Sequence, residues 1–290
     1  MLKKRLHSKI RVLERLIHMT TILFKAVAVD MDGTFLTDNK TFDHELFGKI
    51  LKKLQTNNIP FISATGNQLI RSHEYFEEFS SGIDYVSENG AILEADGKVI
   101  KKTAMDYDIA QKLLHFIQTE YPEAIIMVSA EHHCYILKSM DKAMKDDIRI
   151  YYRKVKEIDK FNDINPSDSI LKVCLTADDE LATIIQDRFN EKYGDCIHGT
   201  SSGNMTIDLV HKGINKAKGV ADMLKYYDIA QKDLIAFGDG ENDIGMLKVC
   251  GYSYAMANAN EKAKAVAKYE APSNNENGVL QVLAKYLEIE

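Results

Sequence analysis

The chain has 290 residues and a formal net charge of −6, with 45% hydrophobic and 28% charged residues. That length holds one large domain or two ordinary ones, and the composition is that of a soluble globular protein. The mildly acidic balance supplies no basic face for nucleic acid, and no apolar run is long enough to span a bilayer. Cys134, Cys174, Cys196 and Cys250 are scattered and form no CxxC pair, which fits reduced thiols in a cytoplasmic protein.

Residues 1–18 differ from the rest. Lys3, Lys4, Arg5, Lys9, Arg11 and Arg15 alternate with Leu2, Leu6, Ile10, Leu13 and Ile17 at helical spacing. A membrane-touching basic helix and a transit peptide are two readings of this pattern. The preferred reading is an extension upstream of the true start, because Met19 stands just before the first strand.

Phe24 to Val29 is short, apolar and β-branched, and predicts a buried parallel strand. Leu46, Phe47, Ile50, Leu51 and Leu54 then follow helical periodicity. Ile59 to Ala64 is the next strand, with Pro60 tolerable only at its start. A polar helix is expected around Ser72 to Phe79, followed by strands at Tyr85-Val86 and Ala91 to Leu93 and a hairpin turn at Asp96-Gly97. This strand–helix alternation predicts an α/β fold with a doubly wound parallel-sheet core.

The middle of the chain changes character. Helix faces at Ile109, Leu113, Leu114 and Ile117 and at Leu181, Ile184, Ile185 and Phe189 alternate with strands at 125–128, 135–137, 170–175 and 206–210. They predict an inserted α+β module over residues 101–209, a plausible domain size. The core is expected from 19–100 and 210–290. Ala217, Val220, Ala221 and Leu224 resume the helix pattern, Leu234 to Phe237 is a strand, and Tyr252 to Met256 another.

Four short stretches carry the chemistry. Asp30 and Asp32 in Asp-Met-Asp-Gly-Thr leave a buried strand at its carboxyl end, where open α/β sheets bind ligands. Residues two apart on an extended chain point the same way, so these carboxylates repel unless a hard cation neutralises them. A solvated Asp-Gly turn is the bland alternative. An EF-hand is excluded, since Gly33 directly follows Asp32 and the twelfth position from Asp30 is Thr41. Thr65-Gly66 follows the second strand and offers a hydroxyl and amides to phosphate oxygens, or simply an N-cap. Lys216 opens a helix and supplies a point charge, with Lys212 as its rival. Asp239, Asn242 and Asp243 lie on a Gly-rich loop after another apolar strand, a donor set suited to Mg²⁺. His132-His133-Cys134 lacks a second ligand pair at zinc-like spacing and reads as strand sequence.

These four pieces, in this order, resemble the motifs of the haloacid dehalogenase superfamily of phosphatases. The insertion between the second and third resembles the capped Cof-type (class IIB) branch, as do Ser87-Glu88-Asn89-Gly90-Ala91 and the tail Asn274 to Val279. The resemblance spans nearly everything from Phe24 onward. Most of the branch has Thr-Gly-Arg where this chain has Thr65-Gly66-Asn67, and Lys-Gly where it has Lys216-Ala217. The resemblance implies Asp30 as nucleophile and Asp32 as acid and base. It implies Mg²⁺ held by Asp30, the Asp32 carbonyl, Asp239 and Asp243. Met31, Thr65, Gly66, Lys216 and Asn242 are then expected to hold the transferring phosphoryl group. The implied substrate is a small phosphorylated metabolite, above all a sugar phosphate, with no nucleic acid or membrane partner and a monomeric or small homo-oligomeric state. The loop Thr200 to Met205 is the candidate sugar contact, with a plain hairpin turn as the equal alternative. A phosphotransferase or mutase on the same scaffold, and a non-catalytic sensor of a phosphorylated metabolite, are the rival functions.

Overall fold

The computed structural model describes residues 22–79, 81–176, 179–201 and 206–289. Segment 1–18, and residues 202–205 of the candidate sugar-contact stretch Thr200 to Met205, lie outside the described residues. The strands in chain order are β1 (Ala26–Val29), β2 (Phe61–Ala64), β3 (Ile83–Ser87), β4 (Ile92–Ala95), β5 (Lys98–Lys102), β6 (Ile125–Ala130) and β7 (Cys134–Leu137). They continue as β8 (Val155–Ile158), β9 (Ile170–Thr176), β10 (Ile197–Ser201), β11 (Thr206–His211), β12 (Leu234–Gly238), β13 (Tyr252–Met256) and β14 (Tyr269–Ala271).

One sheet has eight strands in the order β14-β13-β12-β1-β2-β3-β4-β5. From β14 to β3 all neighbours run parallel, and β4 and β5 close one edge as an antiparallel hairpin. The hairpin turns at Asp96-Gly97, both at positive φ. The central parallel strands β1, β2 and β12 are buried along their whole length, as their largely apolar sequences require. After β1 the chain winds outward through β2 and β3; it later returns to β12 on the other side of β1 and winds outward again. This reversal between β1 and β12 leaves a crevice at their carboxyl ends.

Phe47, Ile50, Leu51 and Leu54 form the buried face of the helix His44–Thr56, whose N-terminus is capped by Asp43 accepting from the Leu46 amide at 2.9 Å. Beneath it lies an aromatic cluster. Phe47 sits 5.1 Å from Phe35, 5.0 Å from Phe61 and 4.8 Å from Phe79, ring centre to ring centre. The helix expected over Ser72 to Phe79 instead spans Leu69–Tyr75. It stops there because Phe76 and Phe79 turn into this aromatic cluster, where Phe76 is fully buried.

The inserted module is a second, six-stranded sheet in the order β10-β11-β9-β6-β7-β8, antiparallel except for β7 and β8. Helices Tyr107–Glu120 and Asp179–Tyr193 cover one face and share an apolar core with Val128, Tyr135, Val173, Leu175 and Leu209. Residues between these along the strands point to the opposite face, as the period of two demands, and they include Ser129, Lys172, Cys174 and Asp208. That face lies over the crevice of the first sheet. Edge strands β8 and β10 and the helix Lys142–Tyr151 had no clear sequence signature. Only Ile158 of β8 and Ile148 of that helix are buried.

Phe47→Ala removes the hub of the aromatic cluster. It should lower the unfolding free energy by about 3–5 kcal/mol, read from the midpoint of urea denaturation. A loss below about 1 kcal/mol would show that the cluster relaxes around the cavity.

Candidate active site

Asp30 follows β1 directly, and its amide donates to the Phe237 carbonyl at 3.1 Å, so the tips of β1 and β12 stay paired into the crevice. Asp239 follows β12. Carboxylate oxygens of Asp30, Asp239 and Asp243 all lie within 4.8 Å of one another. Gly33 makes this approach possible: it sits at φ +79°, and a Cβ there would stand 2.6 Å from Asp239 Oδ2. Thr34 Oγ1 donates to Asp239 Oδ1 at 2.7 Å and fixes that carboxylate. Asp243 turns the following loop by accepting from the amides of Asp239 and Gly240 at 3.0 and 2.9 Å.

Lys216 enters from the first turn of the helix Lys216–Tyr226, which Asn215 caps by accepting from the Lys218 amide at 2.8 Å. Its side chain is fully buried, and Nζ donates to Asp30 Oδ1 at 2.5 Å and to Asp243 Oδ1 at 2.6 Å. Lys212 is half exposed and pairs with Asp195, so Lys216 is the lysine that reaches the cluster. Gly219 lets this helix approach closely, since a Cβ there would lie 2.5 Å from Val86 Cγ1.

Three carboxylates face one ammonium, leaving two negative charges uncompensated in a buried site. Burial and the neighbouring Asp243 and Asp239 carboxylates hold Asp30 well above the usual carboxylate range despite Lys216. Asp239 is pushed up to about 6 by burial and by Asp243. Burial acts to lower Lys216, but Asp243 and Asp30 outweigh it and raise the ammonium above its ordinary value. An all-oxygen donor set with this charge deficit fits a hard divalent cation, which would take the place of the retained protons.

Asp32 is not part of the carboxylate trio. Its Oδ1 accepts from Lys40 Nζ at 2.5 Å and its Oδ2 from Asn67 Nδ2 at 2.7 Å. Asn67 stands where most of the branch has arginine, and it still reaches the second aspartate of the motif. Lys40 was not foreseen; it lies in a polar loop among many lysines, and nothing in its spacing marks it. Thr65 is buried and its Oγ1 accepts from the Asn67 amide at 3.1 Å, which leaves its own hydrogen free to donate. The helix that follows begins at Leu69, so Thr65 closes a turn before it and does not cap it. Met31 is buried at the strand exit. The Gly66 carbonyl accepts from Lys172, and Asn242 Nδ2 donates to Asn89 Oδ1 at 3.3 Å. Glu88 and Asn89 both adopt φ near +53°, a conformation costing a non-glycine residue about 1–2 kcal/mol. His132 and His133 belong to the cap, where His133 Nδ1 lies 2.7 Å from Asp168 Oδ2. Among the described residues, only the aspartate trio groups three metal-ligating side chains.

A doubly wound core, an inserted second sheet and an acidic cluster at the switch point define an α/β protein with a carboxylate site between β1 and β12. Residues 27–283 match the family model of the haloacid dehalogenase-like hydrolases, and the chain belongs to that family. It is 37% identical over 266 residues to the 5-amino-6-(5-phospho-D-ribitylamino)uracil phosphatase YbjI of Escherichia coli K12, covering 92% of this chain and 97% of that one. The crystal structure of SMU.1108c from Streptococcus mutans superposes with a TM-score of 0.87 at 33% identity, over 91% of this chain and 99% of that one. The subclass IIB sugar phosphatase BT4131 shares the fold, with a TM-score of 0.77 at 20% identity over 92% of this chain and 100% of that one. The chain is thus a Cof-type member of the family and a phosphoric monoester hydrolase.

Between the ordinary carboxylate value and about 6, folded Asp239 keeps a proton that the unfolded chain has released. This group's contribution to stability is therefore lost as pH rises through that window. In EDTA, Asp239→Asn should raise the thermal midpoint at about pH 8 and change it much less at about pH 4, where the folded wild-type carboxyl is neutral and the unfolded one largely so. A larger gain at the lower pH would reverse the sign and refute the assignment.

Proposed function

We propose that the protein is a Mg²⁺-dependent phosphatase of small phosphorylated metabolites, chiefly sugar and sugar-alcohol phosphates, acting through an aspartyl phosphate. The observation that carries this reading is Lys216 bridging Asp30 and Asp243 beside Asp239, at the crevice between β1 and β12. The described relatives support the substrate class: one is named for a phosphoribityl compound and another as a sugar phosphatase. We further propose 19–100 with 210–290 as catalytic core and 101–209 as cap; the change of sheet supports this in outline, with each seam falling a few residues later, because all of β5 (Lys98–Lys102) lies in the core sheet and all of β11 (Thr206–His211) in the cap sheet. Four free cysteines support a cytoplasmic location.

In this mechanism an Asp30 oxygen forms the bond to phosphorus as the bond from phosphorus to the leaving oxygen breaks. Asp32, steadied by Lys40 and Asn67, gives its proton to that leaving oxygen. Asp32 then takes a proton from water, which attacks phosphorus and releases Asp30. Lys216, the Thr65 hydroxyl, the amides of Met31 and Gly66 and the Asn242 side chain grip the phosphoryl oxygens throughout. Mg²⁺, held by Asp30, the Asp32 carbonyl, Asp239 and Asp243, supplies charge neutralisation when bound. Phosphoryl transfer asks mainly for such positioning and neutralisation.

The test is phosphate release from a panel of sugar phosphates, phosphoribityl compounds, nucleotides and an aryl phosphate. Release should require added Mg²⁺, vanish in EDTA, and fall by about 10³-fold or more in Asp30→Asn. Undiminished turnover by that variant would remove Asp30 as nucleophile. A phosphorylated acceptor appearing in place of free phosphate would make the protein a phosphotransferase.

A further inference from the structure

Between the cap sheet and the core lies a buried polar cluster that the proposed mechanism does not use. Lys172, from the middle of β9, is fully buried and crosses the interface. Its Nζ donates to the carbonyl of Gly66 at 2.7 Å and to Asp208 Oδ2, on β11, at 2.9 Å. Glu88 Oε2 stands 3.2 Å from the same ammonium, near enough for charge pairing but without a hydrogen bond. Glu88 Oε1 accepts from Ser129 Oγ, on β6, at 2.8 Å. Asn89 Nδ2 donates to Asp208 Oδ2 at 2.8 Å, while its Oδ1 accepts from Asn242.

Two continuous hydrogen-bonded paths therefore run from the cap to the phosphate-gripping loops. One passes from Lys172 to Gly66, directly after Thr65. The other passes from Asp208 through Asn89 to Asn242. Gly66 also packs on Asn89, since a Cβ at Gly66 would meet its amide nitrogen at 3.2 Å. The core partners, Glu88 and Asn89, are consecutive non-glycine residues at positive φ. Such strain persists only where the surroundings hold it.

Stability is a poor reason for this arrangement. Two carboxylates against one ammonium leave a buried charge excess, and Asp208 Oδ1 has no hydrogen-bond partner among the described residues. Apolar residues of similar volume usually serve at least as well. What the cluster does supply is direction: each bond fixes a group that belongs to, or adjoins, the grip on the phosphoryl oxygens.

We infer that Lys172, Asp208 and Asn89 are positioning residues through which the seated cap holds the Gly66 turn and the Asn242 side chain in their phosphate-gripping places. This rests on the phosphatase reading above. The cap thereby takes part in transfer itself, in addition to covering the site. Misplacing such groups by about 1 Å can cost up to about 10²-fold in rate.

The test compares wild type with Lys172→Met and with the neutral triple variant Lys172→Met/Glu88→Gln/Asp208→Asn. The triple variant removes the buried charges together, so it folds even where the single one does not. With folding verified by circular dichroism, kcat and KM are measured on an aryl phosphate and on a hexose phosphate, and inorganic phosphate binding by calorimetry with Mg²⁺ present. The expected result is a kcat about 10-fold or more lower on both substrates, with inorganic phosphate bound correspondingly more weakly. Wild-type kcat and phosphate affinity in the folded triple variant would overturn the proposal. So would a loss confined to KM for the hexose phosphate, which would mark these residues as leaving-group contacts. If wild type hydrolyses neither substrate, the phosphatase reading fails on its own, and the phosphate-binding comparison still decides the positioning role.

Discussion

The active site depends on crowding three carboxylates around one buried ammonium. Asp30 and Asp239 come from strand tips paired through the Asp30 amide and the Phe237 carbonyl, and Asp243 comes from the loop behind them. Left to themselves these groups repel, and burial makes each charge more costly. The fold offsets this with rigid support: central strands buried along their whole length, an aromatic cluster under the first helix, and a lysine fixed by a capped helix start. The remaining negative charge suits a hard cation, which would neutralise it. A site relaxed enough to be comfortable without ligand would have little left to offer one.

Much of this was legible in the sequence because the first sheet is built from local pieces. Each chemical group sits one or two residues beyond a short apolar run, so the run locates the strand and the strand locates the group. Asp30, Thr65 and Asp239 could be placed in one crevice from that pattern alone. Lys216 was separable from Lys212 only in part, because a buried and an exposed lysine look alike until the helix is docked. Lys40 was invisible for the same reason. Its bond to Asp32 closes a surface loop that carries no periodic signal.

The cap was harder to read. Its apolar face followed the period of two and the helical stripe, and those elements were found. The opposite face is mixed: Met127, Cys134, Ile136 and Cys174 form a small apolar cluster, while Ser129, Lys172 and Asp208 are polar and carry no sequence signal of burial. They are in fact buried, because that face is covered by another sheet's loops. Sequence patterning reports which side of a strand is apolar; it does not report what lies over the other side. The edge strands and the helix Lys142–Tyr151 escaped notice because so little of each is buried.

Burial of these polar residues changes how the two sheets relate. A cap held on by apolar contact would slide or rock with little directional preference, because hydrophobic contact is not directional. Here the contact at the Gly66 turn is made of hydrogen bonds and ion pairs with fixed geometry, from Lys172 to the Gly66 carbonyl and from Asn89 to Asp208. Such bonds specify one relative placement and weaken steeply when it is lost. The consecutive non-glycine residues at positive φ, Glu88 and Asn89, are the core's side of that contact, and Asn89 in turn meets Asn242. The same loop thus faces the cap's Asp208 with one end of a side-chain amide and the core's Asn242 with the other. A single amide placed this way makes the cap's position and the geometry of the site one structural variable.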